Sequence, residues 1–318
     1  MPHILVAGKL HDTGLALLAG IPGVTFTHIE EISEASYASH MPQADALILR
    51  TQPLTAATLA MANNLQVVSR HGVGYDAVDV VALNARKIPL CIVGDVNSVS
   101  VAEHAMMLIL ACAKQLVRSD RATRIGPWVW RNRLESGEIS GRRLLIAGYG
   151  RIGRHLARMA SGFGMQIRAV DPYLAVHGWP DGPVAETSLT DGLQWADIVS
   201  LHVPKTGAPL IGAAELGLLR PGAIIVNTAR GGIIDETALV DALASGHLAA
   251  AGLDVFEEEP PPPDHPLLAF DNLILTPHTA GISRQSAERM AVASVQNVLD
   301  HFNGCLDPDL IVNKDALK

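Results

Sequence analysis

The chain has 318 residues, 48% of them hydrophobic and 18% charged, with a formal net charge of −8. That much apolar material excludes a disordered chain and suits about two domains. The acidic balance gives no bulk attraction to phosphate backbones, so no nucleic-acid partner is expected.

The N-terminal run His3–Gly8 is too short for the apolar centre of a signal peptide. The longest apolar helical stretch, Ala105–Ala113, is bounded by Glu103, His104 and Lys114. Crossing a bilayer takes about 20 residues, so no membrane association is expected. Cys91, Cys112 and Cys305 form no C-x-x-C pair and read as free thiols of a reducing, cytoplasmic compartment.

In the first hundred residues, apolar runs at Ile4–Ala7, Val24–Ile29, Ala46–Leu49, Val67–Ser69 and Leu90–Val93 read as strands. Helical stretches lie between them at Asp12–Ala19, Ser33–His40, Thr55–Ala62 and Val78–Arg86. Strands alternating with helices of this size imply crossover units and a parallel sheet covered on both faces. A long helix is predicted from Val101 to Arg121, with Ser100 and Glu103 spaced as a capping box. A less regular segment, 125–141, holds Trp128, Trp130, Arg131 and Arg133.

Alternation resumes with strands near Leu144–Ala147, Ile167–Val170, Ile198–His202, Ile224–Thr228, Ala250–Asp254 and Leu273–Thr276. A last helix, about Arg284–Phe302, has Ser283 as N-cap and Gly304 just past its end. One domain is therefore placed at residues 100–283. The other combines residues 1–99 with 284–318. Ligands are expected in the cleft between them.

The strongest local signal is Gly148-x-Gly150-x-x-Gly153, between a strand and an amphipathic helix that runs from Arg151 to about Phe163. The next strand ends in Asp171, 23 residues after Gly148. Gly148 suits the tight turn, Gly150 close approach of a pyrophosphate, and Gly153 close packing of helix on strand. The helix N-terminus offers unpaired N–H groups and a positive dipole end to the anion. An acceptor at Asp171 suits ribose hydroxyls and repels a 2′-phosphate, so the pattern points to NAD rather than NADP. Arg151 lies inside the turn, facing either the pyrophosphate or the surface.

Three further segments end predicted strands: Asn227–Glu236 with Arg230, Leu253–Pro260 with Glu259, and Thr276–Gly281 with His278. Ligand sites of open α/β sheets gather at the carboxyl ends of strands, so these three side chains are expected to converge. No histidine pair stands at helix spacing with a carboxylate, and no metal is expected.

With these motifs in order, and with Arg50-Thr51, the loop 72–76, Ser100–His104, Leu201–Pro204 and Val312-Asn313, the sequence resembles the D-isomer-specific 2-hydroxyacid dehydrogenases along nearly its whole length. Phosphoglycerate dehydrogenases and glyoxylate/hydroxypyruvate reductases belong to that family. The resemblance implies two doubly wound parallel-sheet domains of α/β class, a Rossmann NAD-binding domain inserted into a smaller flavodoxin-like substrate domain. It implies interconversion of a D-2-hydroxy acid and its 2-oxoacid, with 3-phosphoglycerate, glyoxylate and hydroxypyruvate as candidate substrates.

By the same resemblance His278 is the proton donor and acceptor, Glu259 its partner and Arg230 the substrate anchor. Of the run Glu257–Glu259, only Glu259 directly precedes Pro260, as the family pattern requires. The backbone of Val73 and Gly74 matches groups that hold the substrate carboxylate, and Arg50 matches a residue that reaches the substrate's distal end. Gly148, Gly150, Arg151, Ile152, Gly153, Asp171, His202, Val203, Pro204, Thr228, Ala229, Arg230, Asp254, His278, Ala280 and Gly281 match positions lining the dinucleotide, Asp254 near the carboxamide.

The Trp128–Arg133 segment falls where relatives extend an arm around a second subunit, which implies a homodimer. The chain stops soon after Asn313 and is expected to lack the regulatory domain of longer phosphoglycerate dehydrogenases. A different class of reading is a dehydrogenase-like corepressor, in which NAD binding gates association with a partner protein. Turnover of a 2-oxoacid separates the two.

Overall fold

The computed structural model describes residues 1–318. The chain divides into two units, one of residues 1–97 with 282–318 and one of residues 98–281.

In the first unit, strands and helices alternate as β1 (His3–Ala7), α1 (Asp12–Ala19), β2 (Thr25–Ile29), α2 (Glu34–Ala38), β3 (Ala46–Leu49), α3 (Ala56–Ala60), β4 (Val67–Arg70), α4 (Val80–Ala85) and β5 (Leu90–Cys91). All pairings are parallel, in the order β2-β1-β3-β4-β5, the flavodoxin-like arrangement. Period-2 alternation sends Leu5, Leu47 and Val68 to one face, with Tyr37, Leu54 and Leu83. Ile4, Val6, Ile48 and Val67 go to the other, which Leu18, Val295 and Val298 close. The last two belong to a C-terminal helix (Arg284–Phe302, numbered α12 below), so the end of the chain completes the core of its beginning. Ser283 caps that helix by accepting from Ser286 N–H at 3.1 Å, and Gly304 follows its end at φ 71°.

The second unit opens with α5 (Ser98–Ala113) and α6 (Leu116–Arg124). The single helix predicted over 101–121 is thus two, bent by 60° at the break. The reason is local: Gln115 takes left-handed dihedrals (φ 53°), and from there the apolar stripe of α5 gives way to a wholly unburied α6. The helix also begins at Ser98, so Ser100 lies buried inside its first turn and is not its N-cap. No single helix is long and apolar enough to cross a membrane.

The rest of this unit runs β6 (Arg143–Ala147), α7 (Arg151–Gly162), β7 (Gln166–Val170), α8 (Pro172–His177), β8 (Ala185–Glu186), α9 (Leu189–Trp195), β9 (Ile198–Leu201), α10 (Ala213–Leu218), β10 (Ala223–Asn227), α11 (Glu236–Ala244), β11 (Leu248–Leu253) and β12 (Leu273–Leu275). The sheet is parallel throughout, in the order β12-β11-β10-β9-β6-β7-β8. Counted from β6, this is the Rossmann order 3-2-1-4-5-6 with a seventh strand at one edge. Leu145, Val199 and Ile225 pack beneath α9–α11, while Leu144, Ile146, Ile198 and Ile224 meet α5 and α7. Both faces are buried, which is why the strands are continuously apolar.

Two histidines, His71 buried and His202 half-buried, stand apart from this apolar packing. Burial, with the charges of Arg50 and Arg70, pushes His71 down to about 4, and burial does the same to His202. The unfolded chain takes up a proton on each near pH 6.5 that the folded chain refuses until near pH 4. Stability therefore falls with pH through that window, at up to about 1.4 kcal/mol per histidine per pH unit. We expect thermal unfolding at pH 5 to occur below that at pH 7, and His71→Asn to lessen the difference; equal pH dependence of variant and parent in calorimetry would contradict this.

Candidate active site

The chain reverses direction across the larger sheet between β6 and β9, the point where open α/β sheets hold ligands. The loops after these strands touch. A Cβ on Gly148 would lie 2.4 Å from His202 O, and one on Gly153 would lie 2.3 Å from Gly148 O. Only glycine fits either place. A Cβ on Gly150 would meet nothing within 4 Å, so the turn is open where a phosphate would lie. Gly150 is also the N-cap of α7 and leaves the helix's first N–H groups without a side-chain cap.

Arg151 opens this helix with its side chain exposed, and Ile152 packs onto the core behind it. Asp171 accepts from Tyr149 N–H at 2.9 Å and from Tyr173 N–H at 3.0 Å, joining the glycine turn to the start of α8. Val203 lies beside Gly148, and Pro204 is exposed. His202 Nε2 meets Ser200 Oγ at 2.9 Å, while its Nδ1 and the hydroxyl of Thr228 are buried without a partner. Unpaired buried polar atoms are costly, and a bound polar ligand would satisfy them. An open anion cradle, a carboxylate bonded to the backbone of the glycine turn and these two groups together fit a dinucleotide.

At the ends of β10, β11 and β12 the structure brings the next residues together. Asn227 brackets the turn after β10: its Oδ1 accepts from Ala229 N–H at 3.0 Å and its Nδ2 donates to Arg230 O at 2.8 Å. Arg230 Nη1 donates to Ala229 O at 2.7 Å. Gly231 then runs so close to the loop after β11 that a Cβ would fall 1.6 Å from Phe256 O. The Arg230 turn is thereby pressed against the segment that carries Glu259. Glu236, at the start of α11, secures the same segment by accepting from Glu257 N–H at 2.7 Å and meeting His265 Nε2 at 3.1 Å.

Glu259 Oε2 lies 2.7 Å from His278 Nδ1, and its Oε1 accepts from Phe256 N–H at 3.0 Å. Burial pushes the Glu259 carboxyl up, but the His278 and Phe256 hydrogen bonds and the charges of His278 and Arg230 outweigh it and hold the group below its ordinary range. A carboxylate on Nδ1 fixes the orientation of the ring. That leaves Nε2, on a side chain 52% exposed, to exchange protons outward.

His278 has φ 51°, a left-handed conformation that costs a β-carbon-bearing residue about 1–2 kcal/mol. Asp254, 0% exposed, secures it. The Asp254 carbonyl accepts from His278 N–H at 2.8 Å, and its carboxylate accepts from Thr279 N–H and Ala280 N–H, each at 2.8 Å. Gly281 closes the segment. Asn227, Gly231, Glu236 and this clasping function of Asp254 were not evident from sequence. An Asn that ends a buried strand before a turn is a detectable Asx signal, whereas the other three depend on contacts made across the fold.

In the smaller unit, Arg50 follows β3 and Gly8 follows β1, at that sheet's own reversal point. A Cβ on Gly8 would lie 2.6 Å from Arg50 Cβ. Val73 and Gly74 lie in the half-buried loop after β4, near Arg70 and His71.

Residues 106–280 match the family model for the D-isomer specific 2-hydroxyacid dehydrogenase, NAD binding domain. The chain is 39% identical over 280 residues to a glyoxylate reductase of Korarchaeum cryptofilum, covering 86% of this chain and 84% of that one. It is 36% identical over 314 residues to a D-3-phosphoglycerate dehydrogenase of Mycobacterium leprae, covering 98% of this chain but only 59% of that longer relative. The crystal structure of an NADPH-dependent glyoxylate/hydroxypyruvate reductase from Sinorhizobium meliloti superposes with a TM-score of 0.87 at 30% identity, covering 99% of this chain and 98% of that one. The chain belongs to the D-isomer specific 2-hydroxyacid dehydrogenase family, and its larger unit is that family's NAD-binding domain.

Proposed function

We propose that the protein is an NAD-dependent oxidoreductase that interconverts a D-2-hydroxy acid and its 2-oxoacid. The observation that carries this reading is the 2.7 Å contact of Glu259 with His278 Nδ1, which leaves Nε2 as the outward proton carrier. Bound nicotinamide would supply the hydride to the keto carbon or take it from the hydroxyl carbon. As the keto carbon gains hydride, charge builds on its oxygen, and His278 Nε2 delivers the proton; in the other direction it removes the hydroxyl proton. Glu259 stays ionised through the cycle and compensates the ring's positive charge.

Arg230 presents a planar guanidinium to a carboxylate and a neighbouring carbonyl, a match for a 2-oxoacid. Val73 and Gly74 N–H groups are assigned to the substrate carboxylate and Arg50 to its distal group. The candidate substrates are glyoxylate, hydroxypyruvate and 3-phosphoglycerate. Replacing His278 with Ala lowers kcat about 10²-fold or more while NAD affinity changes little. Stopped-flow turnover with equilibrium NAD titration checks this, and a near-native kcat would remove His278 from the mechanism.

The dinucleotide is assigned to Gly148, Gly150, Arg151, Ile152, Gly153, Asp171, His202, Val203, Pro204, Thr228, Ala229, Asp254, Ala280 and Gly281, with Arg230 and His278 at its nicotinamide end. Asp171 and the lack of a basic residue directly after it favour NAD. We expect kcat/KM with NAD to exceed that with NADP by about tenfold or more, since a 2′-phosphate would meet a carboxylate. Comparable values in steady-state assays would overturn the Asp171 assignment.

Cytoplasmic residence fits the buried thiols of Cys91 and Cys112, both free and pushed up to about 12 by burial. A homodimer is proposed from the exposed apolar side chains of 116–134, among them Trp128 at 65% and Leu134 at 87% exposure. They lie close in sequence to a groove of about 430 Å³ lined by Met106, Met107, Leu110, Met159 and Phe163. Such surface is normally covered by a partner. Sedimentation at micromolar concentration is expected to give twice the chain mass, and a monomer there refutes the dimer.

A further inference from the structure

His104 lies on α5, outside every group given a chemical role above. Four residues on, Leu108 packs directly over Gly252 of β11, where a Cβ would fall 3.0 Å from Leu108 Cβ. One helical turn earlier the same face brings His104 over the end of that strand. Its Nε2 lies 2.9 Å from Thr276 Oγ1 and 3.6 Å from Asp254 Oδ1.

The proton positions follow from counting donors. Thr276 Oγ1 lies 2.6 Å from Asp254 Oδ1. An ionised carboxylate only accepts, so the single hydroxyl proton of Thr276 points to Asp254. The contact between Thr276 and His104 then needs its proton from the ring, so His104 carries hydrogen on Nε2. A buried carboxylate is tolerable only when its lone pairs are filled. His104 orients the hydroxyl that fills one of them, and Asp254 in turn holds the N–H groups of residues 278, 279 and 280.

We propose that His104 is a positioning residue that acts through Thr276 and Asp254 to hold the backbone of residues 278–280, and so keeps the His278 ring aimed from its left-handed position. The inference rests on the dehydrogenase reading for its kinetic consequence but not for its structural one. Displacing a reacting group by a fraction of an ångström slows the chemical step more than it weakens ground-state binding.

The test compares His104→Ala, His104→Gln and Thr276→Val in the full-length protein. Gln keeps an N–H donor for Thr276, whereas Ala and Val remove a link. His104→Ala and Thr276→Val are expected to lower kcat roughly tenfold while KM for NADH and the 2-oxoacid stays within about threefold. Hydrogen–deuterium exchange of the 278–280 amides quickens in both, and His104→Gln restores both properties. If Ala fails to fold, the Gln and Val pair decides the matter.

Parental exchange at 278–280 in Ala or Val, or a Gln variant as impaired as Val, would overturn the proposal. Should the parent enzyme turn over no 2-oxoacid, the dehydrogenase reading falls. The exchange measurement, which needs no turnover, would still decide the role of His104.

Discussion

The buried carboxylate of Asp254 is the constraint on which the rest of the site depends. His278 occupies a backbone conformation that most residues avoid, and such strain persists only where the surroundings over-determine it. Asp254 does so from two directions, its carbonyl holding His278 N–H and its carboxylate the next two N–H groups. The carboxylate would be expensive to bury alone. Backbone N–H groups and a threonine hydroxyl make it tolerable, and the same bonds make the loop rigid. Satisfying a buried charge and positioning the imidazole are one set of interactions.

A second constraint is steric. The Gly148 turn is pinned against His202 O, and Gly231 against the Phe256 carbonyl. In each case a side chain is missing because another loop occupies its place. These contacts join the loop after β6 to that after β9, and the loop after β10 to that after β11. Glu259 reaches the His278 ring only because its segment is pressed there by Gly231 and held by Glu236. Parallel topology gathers the strand ends, and the glycines set the final ångströms.

Much of this architecture was legible from pattern. Strands such as Ala46–Leu49 and Ile198–Leu201 are short, wholly apolar and punctuated, as strands buried on both faces must be. The capping of α12 by Ser283 was equally plain. The break at Gln115 was not, because helix propensity runs on through Leu116–Arg124 and the left-handed residue carries no glycine to mark it. Ser100 and Glu103 have the spacing of a cap yet lie inside a helix that starts at Ser98, since tertiary burial extended it upstream. Arg230, Glu259 and His278 are visible as motif residues. Asp254, Thr276 and His104 do their work through contacts spanning 22 to 172 positions, and no local pattern announces those.

The two sheets solve a similar problem with different chemistry at their reversal points. In the larger unit a glycine turn and the N-terminus of α7 offer backbone donors, suited to a phosphate that must approach closely. In the smaller unit the reversal between β1 and β3 places Arg50 against Gly8, and burial, with the charges of Arg50 and Arg70, pushes His71 down to about 4. His71 therefore stays neutral at physiological pH, so the positive charge of that cluster resides on arginines, whose charge does not vary with pH.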